Sequence, residues 1–550
     1  MKRFLMTSLV FVVVLSLAAG VVAAESAVVR GGTVRIAGQW GTITNNFNPF
    51  LASGQNAPGT RSALYESLFF VSVLTGDITP VLAVSYEWKD NLTLVMETRE
   101  GVKWSDGTPF TAHDVAFTFN YMKQHPALDM AGIWTNGMAS VTALDNNTVE
   151  FKFATPNTPL FQYIAHTLIV PKHVWEGIQD PTAFTNPQPV VTGPFLVGRF
   201  TPQAVTYVRN NDYWIPGQPY VDQVVYQATR SNDSALLLLL NKQIDYSYLS
   251  IPDPQRTFVD RDPQHNRFWW PVTNSNILYL NMSKAPFNDT AFRRAMGYAI
   301  NKDPLSEKAY YGVVPPSHPT GIIPGQQAYW VDPSLADITY SYDPAKAREI
   351  LSEAGYTWDS AGALVDPSGA KVPAVRILVG AGWTDFISMA QLISEDMKAI
   401  GVTMVIEQEP WNSYINSLMG GTYDTAICWG TGSGSTPYDL YYRTLASEFG
   451  GKDGGQAESN YSRFASEVVD QALATYRASS DPDEQWQAIA TIQREVLTKV
   501  PYIPLTDRSH FNCYQTATLA GWPTADNPYN GGEPGDEIGS RLMLLNLHLR

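Results

Sequence analysis

Three tryptophans, Trp383, Trp411 and Trp429, stand at or near the ends of segments patterned as strands and helices within one stretch of the chain. An indole offers a broad apolar face and a single N–H donor at its edge. Pyranose rings present C–H faces that stack on such surfaces, and their hydroxyls seek amides, hydroxyls and bare backbone. Such partners lie close by in sequence. Trp429 closes an apolar run and is followed by a Gly, Ser and Thr loop that carries no charge until Asp439. Glycine lets backbone approach a ligand closely, and Ser and Thr both donate and accept. Trp40 follows the first predicted strand beside Asn45 and Asn46, and Trp269-Trp270 precedes Asn274 and Asn276. A pocket with aromatic walls and a few placed polar groups is a common design for small ligands. The candidate ligand-binding set is therefore Trp40, Asn45, Trp270, Asn274, Asn276, Trp383, Trp411, Trp429, Gly430 and Ser433. Ordinary core packing is the competing account of any single tryptophan.

The motifs that would carry catalysis are missing. No G-x-x-x-x-G-K-[ST], H-E-x-x-H, C-x-x-C or G-x-S-x-G occurs, and Gly430, Gly432 and Gly434 do not fit G-x-G-x-x-G. His113, His166 and His173 lack the close spacing of a metal site, so neither metal nor cofactor is expected. Glu407 and Glu409 share a face if their strand continues. A glycosidase needs two carboxylates roughly 5 to 9.5 Å apart, so a secreted glycoside hydrolase is the rival of a different class; paired surface carboxylates are the plainer account.

These residues need elements to position them. Thr33 to Gly38 reads as a first strand, and Leu92, Leu94 and Met96 alternate with more polar neighbours as in a half-exposed strand. Asp106-Gly107 is a turn, and Thr111 with Asp114 forms a capping box opening a helix through Phe119. Phe292, Ala295, Met296, Ala299 and Ile300 recur at helical spacing, and Asp343-Pro344 is a helix start with Gly355 at its end. Val375 to Val379, Asp385 to Ile400 and Val402 to Glu407 form a strand–helix–strand unit with Gly401 as C-cap, which implies a locally parallel sheet. A helix from Trp411 to Met419 leads to the strand ending at Trp429. The charge-free loop thus leaves the C-terminal end of a strand, where open α/β sheets bind ligands.

The chain has 550 residues, 44% hydrophobic and 16% charged, which suits a folded protein with more than one lobe. Lys2 and Arg3, an apolar run from Phe4 to Val22, and the small residues Ala23 and Ala24 form a secretory leader; an uncleaved anchor is the alternative. Cleavage after residue 24 lowers the formal charge from −15 to −17 and places the mature chain in the periplasm. So acidic a chain is not expected to bind nucleic acid through phosphates. Two cysteines, Cys428 and Cys513, make no disulfide framework. They could pair in an oxidising compartment, but two separately buried thiols is the favoured reading.

Five blocks in order carry a resemblance. They are "LYESLF", "VLAVSYEW" and "REGVKWSDGTPFTAHDVAFTF" (64–119); "TGPFLVGRF" with "VRNNDYW" (192–214); "FRRAMGYAINKD" (292–303); "YDPAKAREILSEAGY" (342–356); and "DMKAIGVTMVIE" leading to the 428–439 loop. Over nearly the whole mature chain, the sequence resembles the family-5 extracellular solute-binding proteins of ABC importers. Within them it is most like the oligosaccharide-binding members. The resemblance implies an α/β, two-lobed periplasmic-binding-protein fold with a hinge, the first lobe carrying an extra subdomain. It places the first lobe at 25–49, 180–270 and 509–550, the extra subdomain at 50–179 and the second lobe at 271–508. Crossovers are expected near Trp270–Thr273 and Thr506–Phe511.

In peptide-binding members the loop after the tryptophan carries an aspartate that pairs with the ligand's α-amino group. The matching position here is Ser433, and Gly430 to Tyr438 holds no acid. The expectation is a monomeric, non-enzymatic receptor that delivers an oligosaccharide to an ABC importer permease. A β-linked gluco-oligosaccharide such as cellobiose or laminaribiose leads. An oligopeptide receptor, its acid supplied by Asp439, is the rival on the same scaffold.

Overall fold

The computed structural model describes residues 28–51, 55–229, 231–431, 434, 436–451, 454–532 and 538–550, with backbone alone for 38–40. The leader and Ser433 lie outside the described residues, as does the side chain of Trp40.

Sixteen strands build three main sheets. In chain order they are β1 (Thr33–Trp40), β2 (Ala83–Asp90), β3 (Thr93–Thr98), β4 (Met138–Ala143), β5 (Thr148–Phe153), β6 (Phe195–Thr201), β7 (Ala204–Arg209) and β8 (Gln223–Thr229). They continue as β9 (Tyr246–Ser247), β10 (Asn266–Trp269), β11 (Val272–Leu280), β12 (Val375–Gly380), β13 (Met404–Glu409), β14 (Thr425–Trp429), β15 (Tyr502–Ser509) and β16 (Asn512–Gln515). One sheet of seven strands runs β10-β16-β9-β1-β8-β7-β6. A second, of five, runs β13-β12-β14-β11-β15, and a third, of four, runs β2-β3-β5-β4.

The five-stranded sheet is covered on both faces, which is why its strands read as nearly continuous apolar runs. Ile377, Val379, Ile427, Leu278 and Leu280 pack into one cluster. Leu378, Ala426, Cys428, Ile277 and Tyr279 pack into another on the opposite face. The four-stranded sheet instead alternates: Leu94 and Met96 of β3 are buried while Glu97 is exposed.

The expected strand–helix–strand unit is present. β12 is followed by the helix Thr384–Met397 and then by β13, parallel to β12. Gly401 ends the helical stretch with φ 82°, in the left-handed region. The capping box is also present: Asp114 Oδ2 accepts from Thr111 N at 3.0 Å at the start of the helix Ala112–Gln124.

The chain passes between the two large sheets twice, at Trp270–Pro271 and at His510–Phe511. In the five-stranded sheet β12 is parallel to β13 and β14, and β14 and β15 both run antiparallel to β11. The C-terminal ends of β12 to β15 therefore share one edge with the start of β11. In the seven-stranded sheet β8 and β9 are parallel to β1, and β16 is antiparallel to β9 and β10. The ends of β1, β8, β9 and β10 thus share one edge with the start of β16. Both crossings join these two edges, so the strand ends of one lobe are tied to the strand ends of the other.

A buried ion pair fastens the C-terminal segment. Arg541 Nη1 lies 3.0 Å from Glu66 Oε1, and Tyr213 and Trp214 donate to the same carboxylate at 2.8 and 2.9 Å.

Candidate ligand-binding site

The edge where β12 to β15 end gathers the aromatic residues. Trp383 caps the helix after β12, Trp411 starts the helix Trp411–Gly420 after β13, and Trp429 closes β14. Gly380 allows this arrangement: a Cβ there would sit 2.4 Å from Trp383 Cδ2, so any side chain would push the indole off the strand end. Tyr414 donates to the carbonyl of Ile427 at 2.6 Å and so fixes the helix Trp411–Gly420 against β14.

Trp383 lies at the centre. Its ring centroid is 5.8 Å from those of both Trp411 and Trp429, and 5.1 Å from that of Tyr414. Trp411 and Trp429 are nearly parallel, 15° apart with centroids at 6.0 Å. Trp411 remains 50% exposed, while Trp383 and Trp429 are half-buried. Such a cluster can present a flat apolar surface, and its acid–base chemistry is nil.

Polar groups flank it. The Arg508 guanidinium carbon lies over the Trp429 ring, 5.1 Å from the centroid. Tyr310 donates to Asp385 Oδ2 at 3.1 Å, and burial raises the Asp385 pKa. Sequence reasoning missed Arg508, Tyr310 and Asp385. Asp385 reads as an ordinary first-turn acid of a helix, and Arg508 as one cation closing an apolar strand.

The two predicted asparagines face inward. Asn276 is 2% exposed; its Nδ2 donates to Tyr310 Oη at 3.1 Å and Thr506 Oγ1 at 3.0 Å. Asn274 is 6% exposed; its Nδ2 donates to the Gly430 carbonyl at 2.9 Å, and its Oδ1 accepts from Ser275 N at 2.8 Å. Both amides therefore hold strands and loop together. Trp270 is likewise buried, edge-on to Phe268 and Phe511 at the crossing. Asn45 is exposed on the loop after β1. The structure thus brings Trp383, Trp411, Trp429 and Gly430 together, with Asn274 beneath the loop.

The three acids weighed from the sequence, Asp439, Glu407 and Glu409, have protein partners. Asp439, the first acid after the loop, is half-buried and accepts a hydrogen bond from Tyr163. Nearby, Tyr442 donates to Asn136 Oδ1 at 2.7 Å. Glu407 pairs with Arg376 at 3.2 Å and Glu409 accepts from Ser417 at 2.9 Å. Cys428 and Cys513 are separate buried thiols, with pKa values pushed up by burial to about 11 and about 12. No group of three metal-ligating side chains occurs among the described residues.

Two α/β lobes joined by paired crossings, with strand ends turned toward each other, define a solute-binding protein of the periplasmic type. The family described as bacterial extracellular solute-binding proteins, family 5 Middle, matches residues 77–452, and the chain belongs to it. It is 26% identical to the dipeptide-binding protein of Escherichia coli (strain K12) over 469 residues, covering 80% of this chain and 83% of the relative. The crystal structure of a periplasmic oligopeptide-binding protein of an ABC transporter from Thermotoga maritima superposes with TM-score 0.87 and 26% identity, covering 94% of this chain and 99% of the other. A mannohexaose-bound structure of the same protein superposes with TM-score 0.85, again at 26% identity, covering 94% and 98%. Proteins of this family are transport receptors. Among the described residues no helix is long and apolar enough to cross a membrane.

Proposed function

We propose that this receptor binds an oligosaccharide between its lobes and delivers it to an ABC importer permease as a monomer in the periplasm. The observation that carries the reading is the trio Trp383, Trp411 and Trp429 on the strand-end edge, beside a loop without an acid from Gly430 to Tyr438. Indole faces suit pyranose rings, and a neutral loop leaves no counter-ion for an ammonium group. The mannohexaose-bound relative supports the same direction. β-Linked gluco-oligosaccharides such as cellobiose or laminaribiose have the flat, extended faces that suit such a surface. Trp40, Asn45 and Ser433 would complete the site from the first lobe and the loop.

We assign the first lobe to 25–49, 180–270 and 509–550, its extra subdomain to 50–179 and the second lobe to 271–508. Closure around ligand follows from contacts made with both lobes.

A peptide ligand is the second reading, favoured by the names of the relatives. Against it, Asp439 already accepts from Tyr163. Titration calorimetry on refolded, ligand-stripped protein separates the two. Heat from cellobiose, laminaribiose, xylobiose or mannobiose with silent tripeptides supports the sugar reading; tight tripeptide binding with silent sugars rejects it.

A further inference from the structure

Arg508 differs in its surroundings from the other cations of the sheet ends. Arg376 at the far end of β12 is held by Asp424 and Glu407, and Arg35 of β1 by Asp245. Arg508 is the penultimate residue of β15, on the aromatic edge, opposite Asn274 in the ladder and half-buried. Among the described residues its guanidinium has no hydrogen-bond acceptor and no carboxylate within ion-pair reach; its one close partner is the face of Trp429. Asp385 acts on it at longer range, and that carboxylate is turned to Tyr310.

A guanidinium carries five donors in a planar fork that matches a carboxylate with two parallel bonds. Its weak hydration lets it sit against indole rings without losing its charge. A half-buried charge beside apolar rings, without an anion, is costly until one arrives. Trp429 covers one side of it, and its ladder neighbour Asn274 is tied to Gly430.

We propose that Arg508 is the carboxylate-recognising residue of the site, so that the natural ligand bears a carboxylate group presented beside the ring that stacks on the tryptophans. The inference rests on the strand-end edge being the binding site. It deepens that reading, because the loop without an acid disfavours ligand ammonium groups while Arg508 favours an anionic one. A uronic acid unit of an oligosaccharide and the C-terminus of a peptide share this chemistry.

Two matched pairs test it by calorimetry on refolded, ligand-stripped protein: cellobiouronic acid against cellobiose, and a tripeptide mixture against the same peptides as C-terminal amides. In at least one pair the acid is expected to bind at least about tenfold tighter than its neutral twin. Arg508→Gln should abolish that preference, and Arg508→Lys should keep part of it. The pair that responds tells sugar from peptide. Equal affinity of acid and neutral twins, persistence of the preference in R508Q, or no binding of either acid at millimolar concentration overturns the proposal. Trp411→Ala separates this from failure of the site itself. If binding in every pair survives W411A unchanged, the edge is not the site; if W411A weakens binding yet acids and neutrals stay equal, only the role of Arg508 falls. Melting curves confirm that R508Q is folded.

Discussion

Asn274 donates from Nδ2 to the carbonyl of Gly430 at 2.9 Å, which ties the start of the strand entering the second lobe to the residue that follows Trp429. The contact is closed on the other side as well, since Gly430 N donates to the Ser275 carbonyl at 2.9 Å. A Cβ on residue 430 would come within 2.4 Å of Asn274 Oδ1 and 2.7 Å of Leu440 Cδ1. Gly430→Ala must therefore displace either the asparagine or the helix that follows the loop. It is expected to cost about 1–3 kcal/mol of stability, measured by urea unfolding. Asn274→Ala leaves the Gly430 carbonyl unpaired and should cost a similar ~1–3 kcal/mol. Wild-type midpoints in both variants would show that the pair is slack.

The tryptophans divide by burial. Trp411 is half in solvent, so Trp411→Ala should lower the unfolding midpoint little while weakening ligand binding about tenfold or more. Trp383 packs on Phe386, Tyr414, Trp411 and Trp429 at once. Trp383→Ala should lose both affinity and about 3–5 kcal/mol of stability. Parallel calorimetry and melting of the two variants checks the contrast, and unchanged affinity in W411A refutes it.

The parts of the fold legible in the sequence are those set by local chemistry. Asp343 and Pro344 start a helix, and Gly401 stops one, because capping and positive φ are local demands. Boundaries were less legible: β13 runs to Glu409 rather than Glu407 because Gly380 of β12 pairs with it. The convergence of Trp383, Trp411 and Trp429 follows once β12, β13 and β14 are parallel. The bonds of Asn274 and Asn276 are not legible locally, because their partners Gly430, Thr506 and Tyr310 arrive from distant parts of the chain. Arg508 is invisible in the same way, since nothing near it in sequence places it over Trp429.

Tyr163 and Asp439 join residues far apart in the chain, one in the helix Leu160–His166 and one in the helix Tyr438–Leu445. Tyr442 to Asn136, and Thr158 N to the Arg477 carbonyl at 3.3 Å, run alongside. On the proposed division these bonds join the extra subdomain to the second lobe, so they would be made on closure. Tyr163→Phe and Asp439→Asn should each weaken ligand binding about two- to tenfold, the value of one hydrogen bond, without changing which ligand is preferred. A change of preference would mean that Asp439 touches the ligand.

Two buried groups give opposite pH slopes. Burial pushes Asp507 up to about 7, and its Oδ1 accepts from Ser317 Oγ at 3.1 Å. Its native pKa exceeds the ordinary 3.8, so its stabilisation is full below that value and is lost as pH rises through about 7. Burial pushes His166 down to about 4, where it stacks on Phe70 and its Nε2 accepts from Val71 N at 2.9 Å. Its stabilisation is full above the ordinary 6.5 and is lost as pH falls through about 4. Between these limits the two nearly cancel. Asp507→Asn mimics the protonated acid and keeps an acceptor for Ser317. Relative to the wild type, D507N should gain stability as pH rises from about 4 to 7, by up to about 1.4 kcal/mol per pH unit. His166→Gln keeps an acceptor for Val71 and should gain stability, relative to the wild type, as pH falls from about 6.5 to 4, with a slope of the same size. Urea unfolding at several pH values across that window reads both difference curves, and a flat curve for either variant rejects the assignment of that group.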